Sequence, residues 1–385
     1  MSDFLPDIVL GDLDSLDDEI VYAQVPKGEQ FPVPRIPKTL KFFLNKTTVM
    51  YGGTGTGKTI LTLDLMRLMH KCFPIVFVFS TTELENKTFA PFVPNPLIYD
   101  KVSVDALKDI YELQKLRSQT YEAANDIEIL EQLFRKVANS KQVEMARKIQ
   151  NLCDMATKRA DTYYKSNADR KEKKKEIKKN AENALRRVFK AIIGNNIKKL
   201  RNLIKSLTPQ QRYCVKFFGF NPNMLIVFDD CASDIKSIAS KKVNTFLTDF
   251  FFKGRHSHMT FLYTMQDDTC LLSDLRKNVH NSVFCSQRTA NSFFGRATNG
   301  VSTVDKKRYI AAASVIFNEH NQEDYKRLVY TILDPKSPIQ YITGDSYDDF
   351  RMCGNIVWKF CGAAKKQTEQ LVDETNKFYE RFQAL

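Results

Sequence analysis

The 385-residue chain lacks long apolar runs, and its N-terminus lacks the features of an export signal. No apolar run reaches the ~18 residues that a membrane-spanning helix needs. The longest candidates, Phe73–Phe79 and Met224–Phe228, are typical of buried strands. The first twenty residues contain six aspartates and no basic residue, unlike a signal or transit peptide. We therefore expect an intracellular protein that is not secreted and has no membrane segment.

Paired cysteines are also missing. None of the eight cysteines forms a CxxC pair, and the two that are closest in sequence, Cys353 and Cys361, have no flanking histidine. His256 and His258 have no acid or thiol near them to complete a zinc site. The spacing therefore indicates reduced cysteines inside a packed protein, and neither a disulfide framework nor a metal site.

The net charge of +13 is concentrated in one segment. Between Thr157 and Lys205, 17 Lys and Arg accompany 5 Asp and Glu, so +12 of the net charge lies within 49 residues. Such a segment either binds phosphate backbones without reading bases or is a solvated helical face. Its aromatic residues are only Tyr163, Tyr164 and Phe189. Few aromatics disfavour base stacking on a single strand, so any nucleic acid bound here is expected to be duplex.

Composition divides the chain into five segments. Residues 1–38 are acidic and then Pro-rich, which predicts an extended arm. Strand and helix patterns alternate in 39–101 and again in 208–345, which together predict a central parallel sheet flanked by helices. Residues 102–207 contain one glycine and no proline, so we expect an insertion of two or three long helices packed as an antiparallel hairpin. Residues 346–385 form a predicted C-terminal helical tail.

Periodicity predicts the individual elements of these segments. The predicted strands are Thr47–Tyr51, Phe73–Phe79, Met224–Phe228, His258–Met265, Ser282–Ser286, Arg327–Leu333 and Ile339–Thr343. The predicted helices outside the insertion are Lys58–His70, Ile238–Phe252, Asp305–Asn318 and Gln367–Phe382.

A glycine-rich loop after the first predicted strand carries the clearest chemical signal. It matches the pattern GxxxxGK[ST] and is followed by a helix pattern. Glycines let backbone N–H groups turn toward phosphate oxygens, and the helix N-terminus adds its positive end. The predicted phosphate-binding residues are Gly52, Gly53, Thr54, Gly55, Thr56, Gly57, Lys58 and Thr59. Lys58 is expected to neutralise the β and γ phosphates of ATP, and the Thr59 hydroxyl to ligate Mg²⁺.

Two adjacent acids follow the apolar run Met224–Phe228. Asp229 is predicted to hold Mg²⁺, directly or through water, and Asp230 to polarise the attacking water as a general base. In a closed site two neighbouring carboxylates repel each other, and a bound Mg²⁺ removes that repulsion. The acids and the glycine loop together indicate a nucleotide-hydrolysing site.

Gln266 and Arg255 flank the predicted strand that ends at Met265. Ligand-facing groups of parallel sheets lie at the carboxyl ends of strands, so Gln266 is a candidate to hydrogen-bond the γ phosphate and the attacking water. The alternative is a glutamine that merely ends a strand. Arg255 is a candidate to reach the γ phosphate of a neighbouring subunit. Three other arginines compete for this role: Arg276, Arg288 and Arg296.

Missing motifs narrow the class of nucleotide-binding protein. The chain has no NKxD motif for guanine and no DExD/H helicase box. The run Ser206–Gln211 faintly echoes an ABC signature but lacks its glycine pair. An SMC-like or scaffold ATPase, whose helical insertion binds a protein partner, is therefore the alternative to a DNA motor. A nucleotide-binding protein without turnover is a third interpretation, which the combination of Asp230, Gln266 and nearby arginines disfavours.

These motifs resemble the poxvirus-type virion DNA-packaging ATPases of large eukaryotic DNA viruses, within the FtsK/HerA group of P-loop ATPases. The resemblance covers roughly residues 47–80 and 207–287. It rests on GGTGTGKT, on the stretch from Leu207-Thr208-Pro209 through Phe220-Asn221-Pro222-Asn223 into IVFDDC, on GRHSHMTFLYTMQD, and on Leu275-Arg276-Lys277-Asn278. Its most specific parts are the paired aspartates followed by Cys231 and the strand that ends in Gln266.

The resemblance implies a RecA/FtsK-like α/β fold and a homo-oligomeric ring, a hexamer or a pentamer, that threads double-stranded DNA into a preformed capsid. It implies Asp230 as the catalytic acid, Gln266 as the sensor and Arg255 as the trans-acting finger. The implied partners are duplex DNA, further copies of the chain and a capsid or portal-vertex protein. The implied location is the viral factory in the host cytoplasm, or the virion. The basic insertion, 102–207, departs from the family pattern, so the resemblance does not identify the DNA-contacting surface.

Overall fold

A computed structural model describes residues 20–25, 28–164, 166–240, 244–271, 273–318 and 325–383. These residues form two compact units. One comprises residues 20–115 and 221–383, and the other, which we call the helical unit, comprises residues 116–220. The predicted insertion, 102–207, overlaps the helical unit.

The first unit is built on a central sheet, and ten strands are present in the described part of the chain. They are β1 (Val21–Gln24), β2 (Gln30–Val33), β3 (Thr47–Tyr51), β4 (Ile75–Ser80), β5 (Ile98–Tyr99), β6 (Met224–Asp229), β7 (Met259–Met265), β8 (Asn281–Phe284), β9 (Lys326–Thr331) and β10 (Ile339–Thr343). The order in the central sheet is β10-β9-β8-β3-β7-β6-β4-β5. Strands from β8 to β5 run parallel, whereas β9 is antiparallel to both of its neighbours.

The α-helices of the described residues connect these strands, form the helical unit or follow the last strand. They are α1 (Leu40–Phe43), α2 (Lys58–Leu68), α3 (Glu83–Asn86), α4 (Val104–Ala124), α5 (Ile127–Val137), α6 (Ser140–Tyr163), α7 (Asn167–Asn195), α8 (Ile197–Asn202), α9 (Pro209–Lys216), α10 (Ala232–Ser240), α11 (Asn244–Gly254), α12 (Ser273–Lys277), α13 (Gln287–Gly295), α14 (Thr303–Ile316) and α15 (Asn355–Gln383). The boundary between the two units falls within α4, and α5 to α9 belong to the helical unit.

Both faces of the central sheet are buried, which explains why its strands read as continuous apolar runs. Successive side chains of a strand point to opposite faces. In β6, Met224, Ile226 and Phe228 pack into one hydrophobic cluster, while Leu225 and Val227 pack into the other. β6 is therefore buried on both faces, and the residues that follow it begin at the end of a central strand.

Stacked aromatic rings fix the register of the central strands. The ring of Phe228 lies 5.1 Å from that of Phe79 and 4.7 Å from that of Tyr263, centroid to centroid, and both pairs are stacked. Such cross-strand pairs stabilise a particular alignment. Since each ring is followed by one polar residue, the same register aligns a polar row at the carboxyl ends of the strands.

The helical unit has its own core. Leu130, Leu133 and Phe134 of α5 pack with Phe189 and Ile193 of α7. Side-chain caps mark the start of three of its helices, because they satisfy N–H groups of the first turn. Asp126 caps α5, Asn139 caps α6 with Gln142, and Thr208 caps α9 with Gln211.

These caps show where the sequence interpretation of this segment was wrong. Residues 102–207 contain five α-helices among their described positions, α4 to α8, not two or three. The run Ser206–Gln211, which faintly echoed a nucleotide-binding signature, is the start of a helix: Gln211 N donates to Thr208 Oγ1, and Thr208 N donates to Gln211 Oε1.

Most other predicted elements are present. The α/β class with a mostly parallel central sheet is confirmed, and each of the seven predicted strands overlaps an observed one. The predicted helix Ile238–Phe252 is instead divided between α10 and α11, and the C-terminal helix begins earlier, at Asn355. Within the predicted extended arm, β1 and β2 form an antiparallel hairpin whose Ala23 and Val33 are fully buried. Residues 1–19 of the arm lie outside the described residues.

Candidate nucleotide-binding site

The glycine-rich loop connects β3 to α2 at the carboxyl edge of the sheet. Gly52 N donates to Met265 O of β7 (3.0 Å), which ties the start of the loop to the neighbouring strand. Lys58 is the first residue of α2 and is 6% exposed. Its Nζ donates to Gly52 O (2.8 Å) and Gly53 O (2.9 Å). The ammonium group therefore lies inside the curve of the loop, next to the N-terminus of α2.

Two glycines are required by this geometry. Gly57, the N-cap of α2, has φ +82°, a left-handed conformation that side chains disfavour. A Cβ there would also lie 2.7 Å from Arg327 Nη2. A Cβ on Gly52 would lie 2.8 Å from Cys285 Cβ. A side chain at either position would therefore disturb the loop, whose glycines leave room for backbone N–H groups to turn toward a phosphate.

A row of polar residues crosses three strands, β7, β6 and β4, beside this loop. Met50 of β3 is paired with Thr264 of β7, Thr264 with Asp229 of β6, and Asp229 with Ser80 of β4. Thr264 Oγ1 donates to Asp229 Oδ1 (2.7 Å), and Ser80 Oγ lies 3.4 Å from Asp229 Oδ2 as a donor. The carboxylate is thus held between two hydroxyl groups, two strands away from the strand that leads into the loop.

Electrostatics make Asp229 suited to a cation. Burial raises the pKa of this carboxyl above its ordinary value, and the nearby charge of Asp230 raises it further. The hydroxyl of Thr264 and the ammonium of Lys58 act in the opposite direction. A buried carboxylate with a raised pKa gains more from a bound cation than a solvated one. Asp229 therefore suits a cation such as Mg²⁺, for which the hydroxyl of Thr59, in the first turn of α2, is the second predicted ligand.

Asp230 occupies an unusual backbone position. Its φ is +51°, and its N–H donates to Thr264 Oγ1 (3.0 Å). The same hydroxyl therefore holds both acids. Among the described residues, Asp230 Oδ1 is buried and has no hydrogen-bond partner. A buried acceptor without a partner is costly, and an attacking water or a hydrated cation would satisfy it.

Gln266 follows directly after β7 at the same edge of the sheet, and its side chain is exposed. The strand order explains this juxtaposition, because β7 lies between β3 and β6. The structure thus brings together the glycine loop, Asp229, Asp230 and Gln266. The catalytic roles of these residues remain predictions.

The arginine candidates are in different places. Arg255 precedes β7 and lies at the opposite edge of the sheet, where its Nη1 is 3.2 Å from His280 Nε2. It is therefore remote from the glycine loop of its own chain, and a role in a neighbouring subunit stays a prediction. Arg276 and Arg296 both bind the buried carboxylate of Asp268, at 3.2 and 3.0 Å. Arg288 is exposed near the start of α13.

Three residues of the site were missed by the sequence analysis. Thr264 had a signal, since its hydroxyl interrupts a predicted buried strand two residues before Gln266. Ser80 directly follows the predicted strand Phe73–Phe79. No sequence signal pointed to Arg327, because its contact with the loop depends on the antiparallel placement of β9.

Other kinds of site are less supported. No group of three His, Cys, Asp or Glu side chains suited to a metal ion occurs in the part of the chain that the structure describes. All eight cysteines are free. Burial raises the pKa of Cys231, which follows the acid pair, to about 12 and that of Cys285, which packs on the loop, to about 11, so both thiols are neutral. None of the helices within the described ranges is both long and apolar enough to cross a membrane.

A strand, a glycine loop closed by lysine and threonine, and an acid pair two strands away define a P-loop nucleotide-binding site. No family model matches the chain. The chain is 26% identical over 364 residues to the uncharacterized protein B354L of African swine fever virus from a Kenyan pig isolate, covering 91% of this chain and 96% of the relative. The same protein from a Malawian tick isolate is 25% identical over 364 residues, with the same coverage.

Three solved structures have partial likeness to the chain. The pCW3 conjugation coupling protein TcpA with ATPγS is 11% identical, with a TM-score of 0.38 and coverage of 87% of this chain and 68% of that one. The genome packaging NTPase B204 of Sulfolobus turreted icosahedral virus 2, in complex with ATPγS, is 11% identical, with a TM-score of 0.32 and coverage of 80% and 98%. EssC (ATPases 2 and 3) of Geobacillus thermodenitrificans is 12% identical, with a TM-score of 0.30 and coverage of 79% and 49%. These TM-scores are too low to support a functional argument, so a proposal of function has to be based on the geometry of the site.

Proposed function

We propose that this protein is an ATP-driven translocase of double-stranded DNA that packages a viral genome into a capsid, hydrolysing ATP to ADP and phosphate. One observation carries the proposal: the Lys58 loop and the acid pair Asp229–Asp230 meet at the same edge of a parallel sheet, with Gln266 beside them. Nucleotide binding alone would require the loop, whereas the adjacent unsatisfied acid is suited to hydrolysis.

Each residue has a distinct task in the proposed hydrolysis. Thr59 and Asp229 would hold Mg²⁺, which supplies charge neutralisation and orientation of the phosphates when bound. Lys58 neutralises the β and γ phosphates. Asp230 accepts the proton of the water that attacks the γ phosphorus, while the bond to the β-phosphate oxygen breaks. Gln266 orients that water, and a guanidinium from a neighbouring subunit, for which Arg255 is our candidate, stabilises the transition state.

The basic face of the helical unit supports duplex DNA as the translocated substrate. Four exposed lysines of α7 form no ion pair with any described carboxylate: Lys171, Lys175, Lys178 and Lys179. By contrast, Lys173 pairs with Glu176 at 2.7 Å, and Lys174 with Asp161 at 2.5 Å. Lysines without internal partners are available to phosphates, and binding of this kind does not depend on base sequence.

The assembly and location belong to the same proposal. The resemblance to packaging ATPases supports a pentameric or hexameric ring and a capsid or portal-vertex partner. The B354L relatives are proteins of African swine fever virus, which supports a viral protein. The proposed location is the viral factory in the host cytoplasm, or the virion.

The test is steady-state ATP hydrolysis by the full chain with Mg²⁺ and with duplex, single-stranded or no DNA. We expect turnover to rise on addition of duplex and to collapse in Lys58→Ala. The matched control is Lys71→Ala, since Lys71 is an exposed lysine shortly after α2 and lies outside the loop. Turnover that is identical with and without duplex would count against a DNA motor.

One observation favours the scaffold alternative. Three large apolar side chains on α6, Met145, Leu152 and Met155, are 54%, 64% and 51% exposed at helical spacing. Exposed apolar stripes of this kind suit a protein partner. On this alternative, Leu152→Glu abolishes capture of that partner but leaves hydrolysis unchanged, and hydrolysis does not respond to duplex DNA.

A further inference from the structure

Arg327 lies against the outside of the glycine loop. It is the second residue of β9, and its side chain is partly buried. Nη2 donates to Thr56 O (2.8 Å), and Nη1 donates to the carbonyl of Lys326 (3.0 Å). The contacts anchor one particular carbonyl of the loop to the antiparallel part of the sheet.

Because the peptide bond is planar, holding a carbonyl group also fixes the direction of the N–H group that follows it. In a trans peptide the C=O and the following N–H point in opposite directions. Holding Thr56 O toward Arg327 therefore turns the N–H of Gly57 away from Arg327, toward the inside of the loop. This N–H directly precedes Lys58, at the N-terminus of α2, where backbone donors bind phosphate.

The close packing at Gly57 makes this orientation tight. A Cβ on Gly57 would lie 2.7 Å from Nη2 and 3.7 Å from Cζ of Arg327, so the guanidinium packs directly on the glycine. A positive charge on the carbonyl side of a peptide also polarises that peptide, which strengthens its N–H as a donor. The effect is greatest for a charged donor and disappears with an apolar side chain.

We infer that Arg327 is a positioning residue of the phosphate site that acts within its own chain, by holding and polarising the Thr56–Gly57 peptide toward a nucleoside triphosphate. The inference rests on the proposed function for the identity of the ligand. It differs from the role of Arg255, which is proposed to reach a neighbouring subunit. Because Nη1 and Nη2 of Arg327 both donate to backbone carbonyls, its effect is expected to fall mainly on nucleotide affinity and less on the chemical step.

The test is equilibrium binding of a fluorescent, non-hydrolysable ATP analogue to the full chain with Mg²⁺, followed by kcat and KM for ATP. Arg327→Met removes both the donor and the charge, and Arg327→Lys keeps a charged donor. We expect Arg327→Met to weaken binding roughly tenfold and to raise KM by a similar factor with a smaller change in kcat. Arg327→Lys should restore most of the affinity.

The matched control is Arg308→Met, because Arg308 is a partly buried arginine of α14 that pairs with Glu29 and not with the loop. Thermal unfolding of all variants separates loss of fold from loss of affinity. Arg327→Met with wild-type affinity would overturn the inference, and so would equal losses in Arg327→Met and Arg327→Lys. Because binding is measured without turnover, a wild-type chain that binds the analogue but does not hydrolyse ATP would refute the proposed function alone.

Discussion

The hydroxyl of Thr264 is the single group that holds both acids of the proposed site, so its removal is a sharp perturbation. Oγ1 donates to Asp229 Oδ1 at 2.7 Å and accepts from Asp230 N at 3.0 Å. Thr264→Val keeps the shape of the buried side chain and deletes only the hydroxyl. We predict that this variant folds, binds ATP weakly in the presence of Mg²⁺, and hydrolyses it slowly.

The expected size of the effect follows from these two hydrogen bonds. A hydrogen bond to a charged group contributes about 1.5–3 kcal/mol. Without the bond from Thr264, the carboxylate form of Asp229 is less favoured, so the already raised pKa of Asp229 rises further. Since about 1.4 kcal/mol corresponds to a factor of ten, we expect Mg²⁺-dependent ATP affinity to fall roughly 10- to 100-fold. Misplacement of Asp230 should lower kcat in addition.

Thr260 of the same strand provides the control. It is fully buried, like Thr264, and its Oγ1 accepts from Asn45 N at 2.7 Å at the opposite edge of the sheet. Thr260→Val should therefore cost comparable stability and leave nucleotide affinity unchanged, while Thr264→Ser should restore most activity. The assay is titration of a fluorescent ATP analogue with and without Mg²⁺, together with thermal unfolding. Equal affinities of Thr264→Val and Thr260→Val would refute the reasoning.

Three further predictions test other parts of the molecule. Glutamine in place of the four exposed lysines of α7 that pair with no described carboxylate should weaken duplex binding: Lys171, Lys175, Lys178 and Lys179. The slope of log K against log salt should fall by about 0.9 for each phosphate that is no longer neutralised. The same replacement at the ion-paired Lys173 and Lys174 should have a smaller effect. Arg255→Ala should bind ATP but not turn it over, and mixing with Lys58→Ala subunits should restore activity; failure of that rescue would assign the finger to another arginine. Burial, with the positive charges of Lys46 and Arg255, lowers the pKa of His280 from 6.5 to about 4. The folded protein therefore binds fewer protons than the unfolded chain between these values, so stability present above pH 6.5 is lost as pH falls toward 4, by on the order of 3 kcal/mol. Urea unfolding at pH 7 and 4.5 should show a smaller loss in His280→Gln, and equal losses would contradict the assignment.

The fold class was predictable because parallel strands that are buried on both faces consist of consecutive apolar residues. Met224–Phe228 and Phe73–Phe79 were identified in this way, whereas Thr47–Tyr51 was predicted from its β-prone residues. The motif between β3 and α2 could be assigned because glycine, lysine and threonine spacing reflects a local geometry. The acid pair was predictable for the same reason. Two charges directly after five apolar residues have few places to lie except at the edge of a sheet.

What could not be predicted depends on contacts between distant parts of the chain. Arg327 reaches Thr56 across 271 positions, through a strand whose antiparallel pairing leaves no mark on the residue itself. The number of helices between 102 and 207 was underestimated because Asp126 and Asn139 resemble ordinary surface residues until their side chains cap a helix. The hairpin of β1 and β2 was not foreseen, since a Pro-rich composition hides the few residues, such as Ala23 and Val33, that pack into the core.

Single-turnover hydrolysis of γ-labelled ATP by wild type and by Asp230→Asn, with bound nucleotide measured in parallel, tests the central claim most directly. If the loop and the acid pair form one hydrolytic site, the wild type binds Mg²⁺–ATP and releases phosphate. Asp230→Asn should then bind the nucleotide with similar affinity and release almost none. Phosphate release at the wild-type rate from Asp230→Asn would contradict the account.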